Sequence, residues 1–148
     1  MERAIRISTL VLTVLAAAAS WPILASVALA QEQGVQTTDI TAKKYEFDPP
    51  VVHMKAGTKL ILKITATDRT HGFGISTSAE GAAKGSEPGL MLSSPPVKDC
   101  YRLEKGQPVT VEIEAKTPGT YKFKCCVHCG LGHGRMKGEL IVDPSQGG

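Results

Sequence analysis

Three turn signals along the chain each lead into strict two-residue alternation. After Lys55-Ala56-Gly57-Thr58, the apolar positions Leu60, Leu62, Ile64 and Ala66 alternate with Lys59, Lys63 and Thr65, and only Ile61 breaks the pattern. After Glu104-Lys105-Gly106-Gln107, Val109, Val111, Ile113 and Ala115 alternate with Thr110, Glu112, Glu114 and Lys116. After Thr117-Pro118-Gly119-Thr120, Tyr121, Phe123 and Cys125 alternate with Lys122, Lys124 and Cys126. Successive side chains of an extended strand point to opposite faces, so this period predicts strands with one buried and one wet face. Gly and Pro at the boundaries supply the turns. Weaker strand patterns cover Gln36–Thr41, Val51–Met54, Gly72–Ile75 and Gly138–Val142. No segment beyond residue 30 has a helical period. Many short strands and no helices predict an all-β protein, a β-sandwich or Greek-key barrel.

Two stretches depart from this rhythm. Residues 77–96 are dominated by Ser, Gly, Ala and Pro, with Leu90-Met91-Leu92 as the one apolar cluster. This reads as a long loop or insertion whose triplet packs on a sheet edge or covers a site; packing is the preferred reading. Residues 1–30 open with Arg3 and Arg6, continue through an apolar stretch from Leu10 to Ala19, and end on Ala28-Leu29-Ala30. That order is the pattern of a secretory signal, with Gln31 as the expected mature N-terminus; an uncleaved membrane anchor is the alternative. Residues 31–148 then form one small domain, expected to be periplasmic or otherwise exported. The formal net charge is +3, of which the leader accounts for one unit. So small a charge, on scattered lysines, gives no case for nucleic acid or an anionic membrane.

The chemistry is concentrated in Cys125-Cys126-Val127-His128-Cys129-Gly130-Leu131-Gly132-His133-Gly134-Arg135-Met136. Thiolate and thioether are soft donors that select Cu(I), zinc or iron–sulfur, and imidazole suits copper and zinc. A Met at the end of the run favours copper over zinc. Alternation places Cys125 inward with Tyr121 and Phe123, and Cys126 outward with Lys122 and Lys124. The two adjacent cysteines therefore do different work. Cys126 is the natural partner for Cys100 in a disulfide, which export permits. Two free thiols, or a Cys125–Cys129 disulfide in the metal-free protein, are the alternatives. Glycines at 130, 132 and 134 let the backbone turn tightly and approach an ion. A ligand from elsewhere is still needed. His71, opening His71-Gly72-Phe73, is the best candidate, whereas His53 is expected to be exposed and His128 to sit on the rim.

The spacing of Cys125, Cys129, His133 and Met136, with Gly130 directly after the second Cys, resembles the binuclear copper-A loop. That loop belongs to cytochrome c oxidase subunit II and nitrous oxide reductase, both of cupredoxin fold. His71-Gly72-Phe73 resembles the upstream His-Ser-Phe segment of that family, and Phe47-Asp48-Pro49 through Lys55-Ala56-Gly57 resembles a cupredoxin N-terminal region. The resemblance implies a cupredoxin-like Greek-key β-sandwich. It implies that Cys125 and Cys129 bridge two coppers, that His71 and His133 each bind one, that Met136 is a weak axial ligand, and that the Val127 carbonyl is the other axial donor. The family often carries Glu where Val127 stands. The sequence has no oxidase membrane hairpin and no room for a reductase propeller, so a free-standing exported copper-A-like domain is implied.

The leading function is thus an electron carrier, not an enzyme, serving a cytochrome, a terminal oxidase or a reductase. A single blue copper on Cys129, His133, Met136 and His71 is the second reading; it leaves Cys125 surplus. A copper chaperone or delivery protein, exchanging copper with a donor or acceptor, is the third. A structural Cys2His2 zinc site is the plain alternative.

Overall fold

The computed structural model describes residues 34–145. The leader pattern of residues 1–30 lies outside the described residues. Two five-stranded sheets face one another. The strands are β1 Val35–Lys43, β2 Glu46–Asp48, β3 Val51–Lys55, β4 Lys59–Ala66, β5 His71–Ile75, β6 Leu90–Leu92, β7 Tyr101–Leu103, β8 Pro108–Ala115, β9 Gly119–Lys124 and β10 Lys137–Asp143. One sheet has the order β2-β1-β4-β8-β6 and the other β3-β10-β9-β5-β7. The N-terminal strands are divided between the sheets: β1 pairs in parallel with β4, and β3 in parallel with β10. The described residues contain no α-helix, only single turns of 3-10 helix at Val97–Asp99 and His133–Arg135. No helix among them is long and apolar enough to cross a membrane.

The inward residues of each alternating run are the core. Leu60, Leu62, Ile64 and Ala66 of β4, Val111, Ile113 and Ala115 of β8, and Tyr121 and Phe123 of β9 are all buried. Burial of large apolar side chains between two sheets is the main favourable contribution to such a fold. Phe123 sits at the centre of an aromatic cluster. Its ring centroid is 5.3 Å from that of Phe47 and 5.2 Å from that of Phe73. Edge-on Phe47–Phe123 packing is the geometry favoured by ring quadrupoles. This cluster underlies the end of β9 from which Cys125 emerges, so the aromatic core also supports the site.

Every strand expected from alternation is present, within one or two residues at each end. The three-residue strands β2, β6 and β7 were not expected. Leu90-Met91-Leu92, read as the apolar cluster of residues 77–96, is β6 and forms the sheet edge against β8. Leu90 is buried and Met91 points out, so the triplet packs on the sheet edge.

Candidate metal centre

β9 delivers Cys125 to one end of the sandwich, and β10 starts one residue after Met136. The two strands close the intervening loop: the Cys125 amide donates to the Met136 carbonyl at 2.9 Å, directly beyond the Lys124–Lys137 register pair. Within the loop, His133 donates to the Gly130 carbonyl, Arg135 to Gly132 and Met136 to His133. The backbone of Gly130 and Gly132 lies against the Tyr45 ring. A Cβ at Gly132 would overlap that ring, and one at Gly130, whose φ is +127°, would come within 2.7 Å of the phenol oxygen. Glycine is required here for close approach. A third anchor is Arg69, whose Nη1 donates to the Cys129 carbonyl at 3.0 Å.

The six residues singled out from the sequence converge. The ligand atoms of His71, Cys125 and Cys129 all lie within 4.8 Å of one another. The Cys125 and Cys129 sulfurs are 3.7 Å apart. His133 Nδ1 is 3.7 Å, and Met136 Sδ 4.0 Å, from Cys129 Sγ. The Val127 carbonyl lies 3.1 Å from Cys125 Sγ. His71, Cys125, Cys129 and Met136 are buried, and His133 is half-buried. His53 is exposed and within 3.5 Å of Asp143, far from this cluster in the sheet register. His128 is exposed and its ring lies 5.6 Å from that of His133, a rim position.

Two features give this cluster the properties of a cation site. The first is the state of His71. Its Nε2 lies 2.7 Å from Asp68 Oδ1. An ionised carboxylate only accepts, so Nε2 carries the proton and the lone pair of the neutral ring sits on Nδ1. That Nδ1 is buried and has no hydrogen-bond partner. Buried polar atoms are nearly always paired, so this unpartnered lone pair, on a ring whose ligand atom lies within 4.8 Å of two thiol sulfurs, is an acceptor site open to a cation. Burial works against the Asp68 anion, but hydrogen bonds from His71 and the Lys44 and Arg69 amides outweigh it and hold its carboxyl below the ordinary value. Asp68→Ala is therefore expected to weaken metal affinity about 10–100-fold, as is usual when the partner of a ligating His is lost. Competition with a chelator measures this, and an unchanged affinity would deny Asp68 that role.

The second feature is the thiol pair. Burial, then the hydrogen bond and charge of Cys125, push the Cys129 thiol up from 9.0 to about 11. Without a cation the site therefore holds protons, which metal must displace, so uptake releases acid and tightens as pH rises. The same shift affects the metal-free fold. A thiol whose folded value lies above its unfolded value stabilises below the latter and loses that contribution as pH rises. Metal-free protein is expected to lose stability between about pH 9 and pH 11, while the loaded protein, its thiolates already formed, does not. Thermal melts of both forms across that range test it. The Gly72 amide donates to Cys125 Sγ at 3.4 Å.

Asp68, Arg69 and Tyr45 were not singled out from the sequence. The carboxylate three residues before His71 was the one available signal, and in a chain read as strands and loops a three-residue separation predicts no contact.

A two-sheet sandwich holding a donor cluster at one end is the architecture of cupredoxin-like domains. The cupredoxin-like domain family model matches residues 13–142, and the chain belongs to that family. Cytochrome c oxidase subunit 2 of Thermus thermophilus is 28% identical over 106 residues, which cover 72% of this chain and 64% of that protein. The chain thus spans under two thirds of that relative's length. Among solved structures, auracyanin B superposes with a TM-score of 0.53 at 21% identity, covering 74% of this chain and 89% of that one. The periplasmic domain of cytochrome oxidase subunit II from Bradyrhizobium japonicum gives 0.53 at 14% identity, covering 75% and 86%. These likenesses establish the fold.

Proposed function

We propose that this chain is an exported electron carrier whose copper is held by His71, Cys125, Cys129, His133, Met136 and the Val127 carbonyl, with two ions bridged by the two thiolates. The observation that carries the reading is the pair of buried sulfurs 3.7 Å apart with imidazole donors beside them. Soft sulfur with imidazole matches copper, and weak axial donors such as Met and backbone oxygen are the usual tuning positions. Kinship with an oxidase subunit 2 supports the same reading and points to a respiratory oxidase or its cytochrome as partner.

Copper in such a site supplies a one-electron couple. The protein's contribution is the frame. β9 and β10 hold both loop ends, Tyr45 backs the loop, and Asp68 fixes the His71 tautomer. Ligands held this firmly do not rearrange when the charge of the site changes. The buried sulfurs exclude water, and the Gly72 amide donates to one of them. A lone copper on Cys129, His71, His133 and Met136 uses the same pocket and leaves Cys125 without a role.

Copper analysis with paramagnetic resonance on the loaded full chain is the test. Two ions per chain and hyperfine structure from two equivalent copper nuclei are expected. One ion, with splitting from a single nucleus, would establish the mononuclear site instead. Transfer of copper to an acceptor faster than electron exchange would favour delivery over carriage.

A further inference from the structure

The lysines on the two sheets follow a rule with one exception. Lys43 faces Glu46, Lys63 faces Asp39, Lys59 faces Glu114, Lys55 faces Asp143 and Lys122 faces Glu139 across their strand pairs. Lys124 of β9 instead faces Lys137 of β10. On its other side Lys124 faces Gly74 of β5, which offers no charge. Both lysines are exposed, and neither has an ion-pair partner among the described residues. Like charges directly opposite one another on a sheet are destabilising. An arrangement that every other strand lysine avoids calls for an anionic group from outside.

The surroundings indicate what that group belongs to. Lys124 and Lys137 line an open cleft of about 970 Å³, which Leu92, Pro95 and Pro96 also line. Such a volume is far larger than one inorganic anion needs, and its apolar wall wants side chains rather than water. The cleft also holds Lys122 with Glu139, but that lysine is already engaged by Glu80, and the other carboxylate lining the cleft, Asp99, forms no ion pair with Lys124 or Lys137. The unpaired charge is thus confined to the end of the sheet where Lys124 adjoins Cys125 and Lys137 adjoins Met136.

We propose that this cleft docks an acidic segment of a partner protein, its carboxylates on Lys124 and Lys137 and its apolar side chains against Leu92, Pro95 and Pro96. That the docked protein is the redox partner rests on the electron-carrier reading above; the surface itself does not. Electrostatic steering onto such a pair raises encounter rates and weakens with salt.

The test is fluorescence anisotropy with fluorescein-labelled hexaglutamate on the full chain, both copper-loaded and metal-free. Binding in both forms is expected, falling steeply with salt. K124E is expected to weaken it about tenfold while leaving the melting temperature unchanged or higher, because Glu then faces Lys137. The neutral K124Q/K137Q variant is expected to lose affinity in the same direction. K84E/K116E, which alters exposed loop lysines outside the cleft, is expected to change it less than about twofold. No binding by the wild-type chain, an undiminished K124E, an equal loss in K84E/K116E, or displacement of the peptide by equimolar inorganic phosphate would overturn the proposal. The metal-free arm keeps its failure distinct from failure of the copper reading.

Discussion

Cys125→Ser is expected to abolish the two-copper signature as completely as Cys129→Ser does. The two sulfurs are 3.7 Å apart and both are buried. If each thiolate contacts both ions, no single sulfur can hold the pair. A serine hydroxyl is a harder donor and stays protonated at neutral pH, so it does not stand in for thiolate. Each variant is expected to retain at most a single copper. The comparison between the two is the decisive part. A mononuclear centre on Cys129 would lose everything in Cys129→Ser and nothing in Cys125→Ser. Metal analysis and paramagnetic resonance on both variants distinguish these outcomes, and an unaltered spectrum in Cys125→Ser would exclude the shared-thiolate centre.

The C100S/C126S variant is expected to show the opposite profile, a large loss of stability with copper content retained. Cys100 and Cys126 are bonded, with Cα atoms 5.8 Å apart and a sequence separation of 26. Closing a loop of that size restricts the unfolded chain by roughly 3–4 kcal/mol in the chain-entropy account. The bridge is also packed in the native state: a Cβ at Gly72 would come within 2.7 Å of Cys126 Sγ. Yet Cys126 points away from the donor cluster, which contains Cys125 and Cys129. Urea unfolding with and without copper measures the loss. Copper content that falls while stability holds would place Cys126 in the site rather than beside it.

The separation of roles between adjacent cysteines was legible because a strand has a period of two. Tyr121, Phe123 and Cys125 share the inner face, which sends Cys126 outward to the segment carrying Cys100. The same periodicity located β4, β8 and β9. It could not locate β2, β6 or β7, since three residues contain too little of a period to be recognised. The loop ligands were legible as a fixed spacing of donors. The groups that control them were not. Asp68 reaches His71 through a bend between β4 and β5, and Tyr45 reaches Gly130 and Gly132 across more than eighty positions of chain. The first depends on the path of that bend, and the second exists only once the distant segments have packed together.

The ring of Tyr45 beneath Gly130 and Gly132 means that the metal loop is not an interchangeable cassette. Transplanted into another sandwich, it would need an aromatic plate under it at the same height. Conversely, a loop grafted here from a relative would be tolerated only if it brought bare backbone to those two points. Adaptation of this centre to new potentials is thereby steered toward the donors and their neighbours, and away from redesign of the loop's path.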